Sequence, residues 1–136
     1  MRDSDWTASI DSSEWFTRIY GTPPELDDCR LYFVQIDERD SSVTFSFETS
    51  DLPVDPPLEW GNREYNTVEF FLKFTGVRNL RITGWDFSAR DASVTLTHRR
   101  DEGLQVTVKG EGSHLDFTAA ASLLTRTRAY LAADGT

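Results

Sequence analysis

The sequence predicts an α+β domain, in which a short N-terminal helix packs on a mostly antiparallel curved sheet or small sandwich of about seven strands. Three observations lead there. Apolar and polar residues alternate with a period of two in run after run, as in Val43-Thr44-Phe45-Ser46-Phe47 and Leu104-Gln105-Val106-Thr107-Val108, the pattern of strands with one buried face. Breaks rich in Gly, Asp and Asn separate these runs at hairpin-like spacing. Near the N-terminus alone, aromatic residues follow helical spacing instead.

That helix comes first in the chain. Asp11 suits an N-cap, Glu14 follows three residues on as in a capping box, and Ile10 and Trp15 hold the two staple positions. Trp15, Phe16, Ile19 and Tyr20 gather on one face, Gly21 closes the helix, and Pro23-Pro24 prevents its resumption. So short a helix needs a sheet to pack on, which makes Trp15 a core residue. Residues 1–9 are polar and acidic enough to be disordered. The run from Cys29 to Ile36 is apolar on both faces and reads as a strand covered on two sides. Asp27 and Asp28, at its start, would point to opposite faces.

After a polar turn at 37–42 and the strand around Phe45, residues 51–59 break the pattern with three prolines. Pro removes amide donors and is excluded from central strands, so this is a stiff, extended loop presenting Asp51, Asp55 and Glu59. Next come Val68, Phe70, Leu72 and Phe74 on one side with Glu69 and Lys73 on the other, a break at Thr75-Gly76, and Leu80 and Ile82. The break is short enough to predict an antiparallel hairpin at the centre of the sheet, with Trp85 packed inward. Residues 86–91 read as a turn. Val94 to Leu96, then Leu104 to Val108, form a hairpin around Gly103, and Leu115 to Ala119 forms the next strand. Thr125 and Thr127 favour a strand over a helix for residues 123–132.

At 136 residues the chain suits one domain spanning 1–136. The formal charge of −9 is unevenly distributed: residues 1–60 carry 14 acidic against 4 basic side chains, and residues 61–136 carry 9 against 10. An acidic chain with no basic stripe disfavours nucleic acid as a partner. No run is apolar for the roughly 18 residues of a membrane span, and the polar N-terminus lacks the apolar core of a signal peptide. With one cysteine, Cys29, no internal disulfide can form. A cytoplasmic monomer that does not contact membranes is the expectation.

Catalytic chemistry is sparse. His98 and His114 are the only imidazoles, and neither has a His or Cys at ligand spacing, so no metal or cofactor is expected. Cys29 has no adjacent base and reads as a buried thiol. Gly-rich phosphate loops and Gly-x-Ser-x-Gly elbows are missing from the sequence, so no catalytic residue is assigned and no enzyme is expected. Trp60, Tyr65 and Trp85 could stack on a sugar, which makes a β-rich carbohydrate- or protein-binding module the alternative function.

Trp60, the polar spacer before Tyr65-Asn66-Thr67-Val68, the strand through Leu72 and Phe74, and Leu80 with the closing Gly84-Trp85 together resemble immunity protein family 50. The resemblance runs from about Trp15 to Tyr130. It implies a protein that binds and neutralises a cognate toxin domain of a bacterial polymorphic system without catalysis, a basic nuclease being one candidate. Its matching residues are mostly packing residues and name no interface. The charge split and the loop supply the candidate partner-binding residues instead: Asp27, Asp28, Asp51, Asp55, Glu59 and Trp60.

Overall fold

The computed structural model describes residues 3–85 and 92–132. One α-helix, α1 (Glu14–Tyr20), accompanies eight strands: β1 (Arg30–Asp37), β2 (Ser42–Thr49), β3 (Thr67–Thr75), β4 (Arg78–Thr83), β5 (Ser93–Arg99), β6 (Gly103–Gly110), β7 (Ser113–Ala119) and β8 (Ala121–Tyr130). They form two antiparallel sheets of four strands, in the orders β1-β2-β3-β8 and β4-β7-β6-β5. The inner faces meet through Phe117 of β7, whose ring lies 6.0 Å from Phe45 and 5.4 Å from Phe74.

The first sheet is longer than the contact with the second requires, and the N-terminal segment roofs the remainder. Phe47 and Phe70 face each other across β2 and β3. Trp6 stacks on Phe70 at 5.5 Å, and Phe16 of α1 meets both Trp6 and Phe70. Trp6 also donates its indole N–H to the Pro24 carbonyl at 2.8 Å. Residues 3–9, in the stretch expected to be disordered, therefore form a 3-10 helix that carries a core tryptophan. Composition hides this, because one large ring outweighs several polar neighbours in buried area.

The predicted hairpin between β3 and β4 does not form. β3 sits between β2 and β8, whereas β4, among the described residues, pairs with β7 in the other sheet. The chain crosses sheets at Gly76, which takes φ +62°, and a Cβ there would lie 2.7 Å from the Ala120 Cβ. Ala120 is the second crossing, from β7 back to β8, and its amide donates to the Thr75 carbonyl at 2.9 Å. Two crossings lie against each other at one corner. A two-residue turn signal reports a reversal of the chain but not which sheet receives the returning strand.

Two further expectations change. Asp11 does not cap α1: Ser13 precedes the helix, makes no side-chain cap bond, and donates to the carbonyls of Thr7 and Ile10. Asp11 instead bridges to β8, its amide donating to Ser122 and its carbonyl accepting from Leu124. β1 is an edge strand rather than one covered on two sides, and Tyr32, Phe33 and Ile36 stand exposed. The C-terminal segment is extended as expected, since β8 pairs with β3 along its length. Gly21 ends α1 at φ +72°, also as expected. The turn expected at 86–91 lies outside the described residues. Trp85, half-buried, packs against the core.

Candidate functional site

The six candidate residues fall into three environments. Asp27 and Asp28 lie in a 3-10 turn, Leu26–Asp28, and not in a strand, so the argument that they point to opposite faces does not apply. They line a cavity of about 370 Å³ with Cys29, Arg30, Glu48, Thr49, Ser50, Thr67 and Ala132. Asp27 also accepts the Val94 amide at 3.2 Å, tying this turn to the edge strand β5. Both aspartates are exposed. The Cys29 thiol between them and β1 is buried and donates to the Glu25 carbonyl. Burial pushes its pKa up to about 12, with Asp28, Asp51 and Asp27 adding to the rise. A thiol held this protonated is not a nucleophile.

Asp51, Asp55 and Glu59 lie on the proline loop, which α1 fixes in place. The Tyr20 hydroxyl donates to the Asp51 carbonyl at 2.7 Å, and the Asp55 amide donates to the Ile19 carbonyl at 2.9 Å. Thr49 accepts the Asp51 amide at 3.0 Å. Pro53 is buried beneath the loop. Between these anchors the three carboxylates are exposed, and so are three apolar side chains that sequence reasoning passes over: Leu52, Val54 at 79% and Leu58 at 95%. An isolated exposed leucine is ordinary. Three apolar side chains on one anchored loop, interleaved with carboxylates, make a surface suited to a partner. Their residue type is the available signal, but pattern reading assigns apolar side chains to the core by default.

Trp60 belongs to neither surface. It is 6% exposed and its ring meets Tyr65 edge-on at 5.4 Å. The 3-10 turn Leu58–Trp60 rotates Leu58 outward and Trp60 inward, so Trp60 anchors the loop from below. The same burial leaves Trp60 without an open face on which a sugar could stack.

Charged residues that the sequence left unassigned organise the outer face of the first sheet. Arg30, Glu48, Glu69 and Arg128 stand directly opposite one another across β1, β2, β3 and β8. Glu69 is buried in this row, and the Arg128 guanidinium donates to it. Glu48 accepts from the Tyr130 hydroxyl and lies 4.0 Å from Arg30. Cation–carboxylate contacts on either side offset the repulsion between Glu48 and Glu69. On the second sheet, buried Asp116 takes Arg81 at 3.2 Å and His114 at 2.5 Å. Its own burial pushes the Asp116 pKa up, but the His114 and Arg81 hydrogen bonds prevail and hold it below the usual carboxylate range. Among the described residues no three His, Cys, Asp or Glu side chains are placed to hold a metal ion, and no helix is long and apolar enough to cross a membrane.

A family model described as immunity protein 50 matches residues 12–130, and the chain belongs to that family. No curated protein and no solved structure matches the chain.

Proposed function

We propose that this immunity protein neutralises a cognate toxin of a polymorphic toxin system by direct, non-catalytic binding in the cytoplasm of the producing cell. The contact surface in this reading is the loop at 51–59, with Asp27 and Asp28 at its flank. One observation carries it. The loop is hydrogen-bonded to α1 at Ile19 and Tyr20, yet exposes Leu52, Val54 and Leu58 between Asp51, Asp55 and Glu59. A fixed loop loses little entropy on binding. Its apolar side chains supply contact area, while the carboxylates speed the approach of a basic partner and disfavour acidic ones. A toxin with a basic cleft, as in a nuclease, suits this surface.

The test is association with the toxin encoded next to this gene. Replacing Asp51, Asp55 and Glu59 with lysine should slow binding at least about tenfold at low salt and much less at high salt, because screening removes steering. The stability of the free protein should hardly change, since exposed charges contribute little to it. An association rate indifferent to all three reversals at low ionic strength would place the toxin elsewhere on the molecule.

A further inference from the structure

β1 is the outermost strand of the first sheet, and among the described residues nothing pairs with its free edge. Long unpaired edges are normally protected by charged side chains, above all lysine, by proline, a bulge, brevity or a cover. β1 has eight residues, no lysine and no proline, and its apolar stretch Leu31-Tyr32-Phe33-Val34 leaves two aromatic rings exposed. Ile36 pairs with Val43 on the inner face of the sheet but is still 44% exposed, because nothing covers the sandwich beyond this edge.

We propose that β1 pairs antiparallel with β1 of a second copy, joining the two four-stranded sheets into one of eight strands. The bulge in β1 argues for this particular occupant. In a regular strand, residues seven apart face opposite sides, so Arg30 and Asp37 could not meet across a two-fold axis. The register shift between Leu31 and Phe33 leaves Tyr32 without a partner on β2, and this extra residue restores the match. With Tyr32 set aside on both strands, Val34 lies on the axis opposite its copy. Phe33 faces Gln35, Leu31 faces Ile36, and Arg30 faces Asp37, each twice over. The faces agree at every step: Leu31, Val34 and Ile36 pair with the core residues Phe47, Phe45 and Val43, whereas Arg30, Phe33 and Gln35 pair with Glu48, Ser46 and Thr44. Opposite charges meet at both ends, and the exposed inner face of Ile36 is covered by Leu31. A two-fold axis through a residue matches faces in any strand; the meeting of Arg30 with Asp37 at both ends is what this sequence adds. This dimer replaces the monomer expected from the sequence and uses no residue of the 51–59 loop.

Sedimentation velocity over a concentration series is the test, made on the full chain without toxin. The mass should rise from that of one chain to twice that value, and amide exchange across 33–37 should slow with concentration. Arg30→Asp and Asp37→Arg should each weaken self-association roughly tenfold, since like charges then oppose at both ends. Mixed together, the two variants should form a heterodimer, because the introduced aspartate of one copy then faces the introduced arginine of the other. A chain monomeric at every concentration overturns the proposal, as does a dimer indifferent to both reversals. Exchange at 33–37 that slows only when toxin is added gives the edge to the toxin and equally overturns self-pairing.

Discussion

At Gly84 the chain has room for a hydrogen and nothing more. The residue takes φ +66°, and a Cβ would fall 2.0 Å from the Gly112 carbonyl oxygen. Any side chain pays for a left-handed backbone and also forces apart the β6–β7 turn. Gly84→Ala should therefore cost more than about 2 kcal/mol, read as a drop in denaturation midpoint at constant slope. Cys29 gives a second expectation. With its thiol pKa held at about 12 by burial, it should resist alkylation in the native protein at mildly alkaline pH and react freely once denaturant is added. Rapid modification of the folded chain by a thiol reagent would contradict that burial. Asp116 gives a pH dependence. Its folded pKa lies below the ordinary carboxylate value, so it stabilises the fold above that ordinary value and ceases to do so as pH falls through its folded pKa. Asp116→Asn should lower stability at neutral pH by about 1–3 kcal/mol, the usual cost of leaving buried groups unsatisfied. The variant should also lose less stability than the parent between neutral and acid pH.

Among the elements, the strands are legible in the sequence and their partners are not. The alternation at Val43 to Phe47, Val68 to Phe74 and Leu104 to Val108 locates three core strands, because burial on one face leaves a period of two in the chain. Nothing in that period says whether β4 folds back on β3 or crosses to another sheet. The answer lies in the contact of Gly76 with Ala120, 44 positions apart. Edge position is equally hidden, since Tyr32, Phe33 and Ile36 look like core residues until the neighbouring strand is found missing. The acidic loop is legible from its prolines, which exclude a central strand wherever they occur. Its apolar half is not, because a leucine in a loop is assigned inward by default. That half has its own test. Leu58→Ser should leave the denaturation midpoint unchanged, as the side chain is 95% exposed. If Leu58 is an anchor, the same change should weaken toxin binding by about 1–3 kcal/mol, mainly through faster dissociation. An unaltered dissociation rate would leave the carboxylates as the loop's only contribution.

For the whole molecule, the order of strands in space and in the chain differ in one way that governs how it is made. β8 is the last strand in the sequence, yet it lies beside β3 in the first sheet. Arg128, the partner of buried Glu69, arrives with it, as do the carbonyl and amide that hold Asp11. A ribosome that has released β1 through β7 therefore exposes a first sheet also open along β3, with an uncompensated carboxylate at Glu69. Such long-range closure slows folding and postpones it until β8 has emerged. The first sheet thus closes only after β8 leaves the ribosome, and a chain truncated before β8 cannot complete it. In the proposed reading, a toxin made alongside this protein meets no inhibitor during that interval.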